Sequence, residues 1–236
     1  MVLNLLLIEK LKKFGVEKIL ELEKEDIQFK SISLLRNKFD ERQASKLVMF
    51  NSLISYRLVG KGEEYWVFFS NYFLTRNKDF FDYIKKCPFL VLGREKRIER
   101  IKKVYDYEPN LENLEKTWED LSNLLKCDKN SKTIVFTIKM LNYVYRAFRD
   151  EDRVLPKIIP IPVDFRIRKL TKYVNLIEDE NVSYKKIQEI WNEVAELTNI
   201  PPLHLDSLLW LIGRVVLYGE KIYNIPEDIL ELFKKR

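Results

Sequence analysis

Apolar residues along this chain recur at intervals of three and four, the spacing that gives a helix one buried face. The pattern predicts helices over Leu3 to Glu25, Arg36 to Leu58, Tyr65 to Leu74, Arg97 to Val104 and Leu111 to Leu125. It resumes over Ile134 to Phe148, Phe165 to Val174, Tyr184 to Leu197 and Leu203 to Leu217. Between them lie short breaks carrying glycine or proline: Gly60-Lys61-Gly62, Cys87-Pro88, Pro109-Asn110, Pro160-Ile161-Pro162 and Ile200-Pro201-Pro202. These residues interrupt helical hydrogen bonding or permit a tight turn. No run alternates apolar and polar positions convincingly enough to predict a strand, and no segment repeats another. The expectation is an all-α architecture, with many helices at varied angles rather than an up-and-down bundle. No Gly/Ser-rich linker divides it. Any subdomains must therefore share an interface, and a cleft there is the natural place for a site.

Composition narrows the classes. Of 236 residues, 46% are hydrophobic, ample for a core, and 33% are charged, enough for an ordinary soluble surface. No window has the length and apolarity of a membrane span. Met1 to Ile8 is apolar, but it is short and lacks the basic start and cleavage site of a secretion signal. A first helical turn and a cytoplasmic location are expected, with no membrane partner. The net charge of +6, from 42 Lys and Arg against 36 Asp and Glu, is compatible with a polyanionic partner without requiring one. Basic residues cluster at Arg94 to Lys103, Lys126 to Lys132 and Arg166 to Lys172, and each cluster alone reads equally well as a solvated helix face. Cys87, Cys127 and the lone His204 are too few for a structural zinc site or a four-cysteine iron–sulfur cluster. No metal or cofactor is expected, and a disulfide between the two cysteines stays open. His204 lies within a helical pattern rather than near a nucleophile elbow, which argues against Ser-His-Asp chemistry. Lysine and carboxylate are left as the reactive groups.

Three segments could carry such chemistry. In the first, Lys126 to Asn130 is polar and turn-like, and Ser131-Lys132-Thr133 opens the apolar stretch Ile134-Val135-Phe136-Thr137-Ile138. Helix, short hairpin and helix follow one another, with Lys132 at the start of the second helix. Backbone N–H groups there can hold a phosphate, and the positive helix end, with Lys126 and Lys129, disfavours a further positive charge. A neutral amine so placed can attack a sugar carbon; an ordinary surface lysine is the plainer alternative. In the second segment, Ile159-Pro160-Ile161-Pro162-Val163 delivers Asp164 directly before the basic helix Phe165-Arg166-Ile167-Arg168. Asp164 suits a helix cap, and a carboxylate fixed in that way can also stabilise a cationic sugar or move a proton. The third segment, Leu203 to Ile212, is apolar on most faces yet carries Asp206, four residues before Trp210 and so on the same face. An acid beside an indole suits a pocket for a planar heterocycle; helix-end charge stabilisation and core packing are the plainer roles.

Taken together, these residues resemble the archaeal 8-oxoguanine DNA glycosylases, a branch of the helix–hairpin–helix glycosylase superfamily. The likeness spans nearly the whole chain. It is strongest at Leu53 to Trp66, Ser131 to Phe136, Pro160 to Arg166 and Ile200 to Trp210, four segments in the right order. Many relatives place a glycine-rich hairpin, Leu-Pro-Gly-x-Gly, before the lysine. Here Leu125 to Ser131 contains no glycine, a departure shared with the archaeal branch. The resemblance implies a bifunctional glycosylase and lyase acting on DNA that contains 8-oxoguanine, without cofactor, as a nucleoid-associated monomer. It implies Lys132 as the Schiff-base lysine and Asp164 as the catalytic aspartate. Gln28, Ser55, Trp66, Phe136, Pro162, Asp206 and Trp210 fall at base-pocket positions, with Gln43 a nearby competitor for Gln28 and Lys139 a competing nucleophile. It further implies a single domain over 1–236 with two helical subdomains: a helix–hairpin–helix region over 108–172, and a second formed by 1–107 with 173–236. A glycosylase for another oxidised base and a non-catalytic DNA-binding module remain as alternatives.

Overall fold

The computed structural model describes residues 4–75, 79–220 and 224–234. It is all-α, and no strand occurs among the described residues. In chain order the helices are α1 (Leu5–Glu25), α2 (Ile27–Leu34), α3 (Glu41–Leu53), α4 (Gly62–Thr75), α5 (Phe80–Lys86) and α6 (Arg94–Lys102). Then follow α7 (Leu114–Leu125), α8 (Lys132–Arg149), α9 (Phe165–Tyr173), α10 (Tyr184–Thr198), α11 (Pro202–Tyr218) and α12 (Glu227–Leu230). Nine coincide with periodic stretches of the sequence. Leu3, the expected start of the first, lies outside the described residues. Capping chemistry explains the shifted boundaries. The helix expected from Arg36 starts instead at Glu41, because the Asp40 carboxylate accepts from the Gln43 N–H while the Gln43 side chain accepts from the Asp40 N–H. The first helix breaks at Gly15, whose φ of 80° lies outside helical space. Asp26 then starts a new helix by accepting from Gln28 N at 2.9 Å.

The chain divides into two compact units, Met1–Lys24 with Val154–Arg236, and Glu25–Arg153. This differs from the subdomains expected at 108–172 and 1–107 with 173–236. The reason is α8. It packs extensively on α3 and also on α2 and α7, so the hairpin belongs to the body formed by residues 25–153 instead of standing apart.

In the Glu25–Arg153 unit, α8 is the central helix, with Ile134, Val135, Ile138, Leu141 and Val144 all buried. Beside it, Phe69, Phe73, Phe80 and Tyr83 of α4 and α5 form edge-to-face, tilted and stacked pairs. Asn51 ties this cluster to α3: its carbonyl accepts from Tyr65 Oη and its Oδ1 from Tyr83 Oη, both at 2.9 Å. In the other unit, Leu205, Leu208, Leu209 and Ile212 of α11 form a core with Ile167 and Leu170 of α9 and Ile190, Trp191 and Val194 of α10. Helices α10 and α11 meet at 105°, because Asn199 ends α10 in the left-handed conformation and Pro201 and Pro202 cannot continue it. No single helix among the described residues is long and apolar enough to cross a membrane.

Candidate active site

The hairpin between α7 and α8 is built without glycine. Lys126 takes the left-handed position, φ 50°, that glycine ordinarily fills at a helix end, and the Lys126 and Cys127 N–H groups close back on Asn123 and Ser122 carbonyls. Asp128 then makes a turn by accepting from Asn130 N at 2.9 Å. Trp118 braces this turn from beneath: its Nε1 donates to the Lys129 carbonyl at 2.6 Å, and the Lys129 ammonium lies 4.4 Å from its ring centroid. In the sequence Trp118 is distinguished only by falling within the helix expected over Leu111 to Leu125. Lys132 is the first residue of α8 and its side chain is exposed. The N-cap Ser131 makes no side-chain cap, which leaves the helix end open to an outside acceptor. Next in line, Thr133 accepts from Arg100 Nη2 at 3.0 Å. Lys139, the competing nucleophile, is 1% exposed with its amine 5.9 Å from the Tyr143 centroid. A buried amine of that kind cannot meet a sugar without disrupting the core.

In the same unit, Gln28, Trp66 and Phe136 lie on α2, α4 and α8, where α2 packs on both of the others. Trp66 meets Phe136 edge to face at 6.3 Å and Phe69 at 5.5 Å. It is 1% exposed whereas Phe136 is only half-buried. Trp66 therefore stands behind Phe136 and holds its ring, and Phe136 is the better placed to offer a stacking face. Gln28 is 2% exposed, and its Oε1 is buried with no hydrogen-bond donor facing it. Gln43 is exposed and its side chain is spent on the α3 cap, so geometry separates the two glutamines that sequence left in competition. Ser55 donates to the Ser52 carbonyl at 2.7 Å. The carbonyls on either side of it, of Ile54 and Tyr56, accept from the buried Arg97 guanidinium, which also lies 4.5 Å from the Tyr56 ring centroid. Burial holds the Arg97 pKa below its ordinary value. That arginine was read as part of a surface basic cluster; its partners lie 43 and 41 residues away, beyond any local pattern.

Asp164, Pro162, Asp206 and Trp210 belong to the other unit. Ile161 and Val163 plug into its core, and the Ile161 carbonyl accepts from Gln188 Nε2 at 3.0 Å, so the proline segment is pinned on both sides of the buried Pro162. Asp164 emerges from it as the N-cap of α9, with Oδ1 accepting from Arg166 N at 2.9 Å and Ile167 N at 3.1 Å. On α11, Asp206 is 6% exposed and Trp210 is half-buried. The Arg166 guanidinium covers Trp210 at 3.6 Å from the ring centroid. His204 serves structure: Nδ1 faces Glu23 Oε1 at 2.9 Å and Nε2 accepts from Leu155 N at 2.9 Å, which fixes the proton on Nδ1. Ser207 donates to the same Glu23 oxygen at 2.5 Å. Both cysteines are free thiols. A cavity lined by Glu41, Arg42, Ser45, Glu108, Glu112 and Arg149 contains none of the expected site residues.

An all-helical chain with a lysine opening the helix after a short hairpin, and a carboxylate opening a later helix, has the layout of a helix–hairpin–helix DNA glycosylase. The model of the AGOG family, N-glycosylase/DNA lyase, matches residues 8–235, and the chain belongs to this family. It is 46% identical to the N-glycosylase/DNA lyase of Pyrobaculum aerophilum, over 97% of this chain and 93% of the relative. It is 37% identical to that of Thermococcus kodakarensis, over 97% of this chain and 87% of the relative. The crystal structure of the 8-oxoguanine DNA glycosylase from Pyrobaculum aerophilum, complexed with 8-oxoguanosine, superposes with a TM-score of 0.94 at 45% identity. That match covers 99% of this chain and 96% of the crystallised one.

Proposed function

We propose that this protein excises 8-oxoguanine from DNA and then cuts the strand through a Schiff base on Lys132. The observation that best supports the reading is Lys132 itself, exposed at the first position of α8 behind a hairpin braced by Trp118. The target base is hidden in the stack, so the nucleotide must first be flipped out. Phe136 and Trp210 supply ring faces for the flipped base, with stacking worth about 1–3 kcal/mol per contact. Stacking cannot separate guanine from 8-oxoguanine, which differ chiefly at N7, a donor only in the oxidised base, and at C8. Gln28 Oε1, a buried acceptor lacking a donor, suits that N7–H. Asp206 suits the donor-bearing Watson–Crick edge, and Ser55, Trp66 and Pro162 are assigned to base binding with them.

In the reaction, the Lys132 amine bonds to the anomeric carbon as the bond to the base breaks and the base leaves with the electron pair. Asp164 stabilises the positive charge that develops on the sugar. Opening of the sugar ring gives the Schiff base, which acidifies the neighbouring C2′ proton; its removal expels the 3′ phosphate and breaks the strand. The enzyme acts on DNA as its partner and needs no cofactor for these steps. Defined duplexes test the reading: chromatography should detect free 8-oxoguanine, and gel analysis a β-elimination end at the lesion. Faster release of an oxidised pyrimidine from a matched duplex would move the protein to another substrate class. Binding without either product would make it a DNA-binding module.

A further inference from the structure

Trp210 is held in an unusual way for a half-buried indole. Its Nε1 is buried with no hydrogen-bond acceptor, although tryptophan N–H groups in such places ordinarily find one. No hydrogen bond therefore sets the angle of the ring. What lies against it is Arg166, whose guanidinium carbon sits 3.6 Å from the indole centroid and 5.4 Å from the Tyr218 centroid. Trp210 and Tyr218 are two turns apart on α11, with Gly213 between them. A Cβ at Gly213 would lie 3.8 Å from Arg166 Cδ and 4.0 Å from its Cβ. A methyl group would just touch the arginine stem, and a longer side chain would displace it. The groove over Gly213 is thus shaped to let Arg166 lie along α11 between the two rings.

The same residue is tied to the carboxylate. Arg166 N donates to Asp164 Oδ1 at 2.9 Å, so the cap that fixes Asp164 also fixes the root of the side chain covering Trp210. An indole has two faces and the guanidinium takes one. We infer that Arg166 is a positioning residue for base recognition: it clamps Trp210 from one side and commits the opposite indole face to the flipped base. This rests on the reading of Trp210 as a stacking residue. It differs from the ordinary use of an arginine in a DNA-binding protein, which is to pair with a phosphate. A planar guanidinium stacks where an ammonium cannot, so the clamp calls for arginine specifically.

Free 8-oxoguanosine separates the two roles, because it carries the base and sugar but no phosphate. Its affinity should fall about tenfold in Arg166→Met, the order expected of a desolvated cation–π contact, and about threefold in Arg166→Lys, which keeps the charge without the plane. Cleavage of a preformed abasic site should fall less than excision in both variants. Unchanged nucleoside binding in Arg166→Met, with weaker duplex binding and a salt dependence shallower by about one charge, would make Arg166 a phosphate contact and overturn the inference. If Arg166→Met fails to fold, as thermal melting would reveal, Arg166→Lys carries the test. Wild-type nucleoside affinity in that variant would overturn the clamp as well. Trp210→Ala keeps the two readings apart: undiminished nucleoside binding there would remove the stacking role on which the inference depends. Loss in Trp210→Ala with none in Arg166→Met would remove the clamp alone.

Discussion

Replacing Gln28 with methionine should move stability and activity in opposite directions. The carboxamide oxygen of Gln28 is buried without a donor, and an unsatisfied buried polar group costs about 1–3 kcal/mol. Methionine nearly matches the volume, so no large cavity opens, and the cost of the orphan oxygen disappears. A gain of 1 kcal/mol raises the melting temperature of a chain this size by about 2–4 °C, so the free variant should melt at or a few degrees above the wild type. In the complex the sign reverses. On the proposed role of Gln28, the 8-oxoguanine N7–H is left without an acceptor, at a loss of about 1–3 kcal/mol, or roughly 5- to 150-fold in single-turnover excision. Guanine has no N7–H to lose a partner, so discrimination against it should shrink by the same factor. Cleavage of a preformed abasic site, which offers no base to read, should change little. Scanning fluorimetry with both cleavage assays on one preparation tests this. A melting temperature lowered by several degrees, with equal losses on both substrates, would make Gln28 part of the scaffold and refute the reasoning.

Asp164→Asn should slow excision at least a hundredfold while melting within a few degrees of the wild type, because asparagine can accept the same two α9 N–H bonds. Normal excision with a large melting loss would reduce Asp164 to a cap. Alkali should destabilise the protein. Burial raises the Tyr65 and Tyr83 hydroxyls well above their ordinary value and pushes Tyr107 up to about 12. These groups hold their protons more tightly folded than unfolded, so the stability they contribute is complete below about pH 10 and declines as pH rises above it, that of Tyr107 being lost through about 12. Denaturant midpoints across pH 9 to 12, with phenolate absorbance read alongside, check it; ionisation of all twelve tyrosines near pH 10 in the folded protein would contradict it.

Most of the helices were legible in the sequence because they are long enough for periodicity to register. The shorter α2, α5 and α12, at 8, 7 and 4 residues, complete too few turns. The caps of α2 and α5 were nonetheless written in the chain: Asp26 and Asp79 accept from the N–H two residues on. The placement of Lys132 and Asp164 at helix starts was legible because each follows a marked break, a local signal. Arg97 beneath the Ser55 loop and Glu23 beneath His204 were not, since their partners are 43 and 181 residues away. The division at 24/25 and 153/154 was missed for a similar reason. It depends on α8 packing on α3, a contact that periodicity within either helix cannot reveal.

Borohydride reduction of the complex with an 8-oxoguanine duplex, followed by peptide mapping, tests the central claim most directly, because only a covalent imine is trapped. A stable protein–DNA adduct should form on Lys132 and be abolished in Lys132→Gln, which should still bind the lesion. Lys139, buried over Tyr143, should carry none of it. An adduct on another lysine, or one that survives Lys132→Gln, would contradict the account.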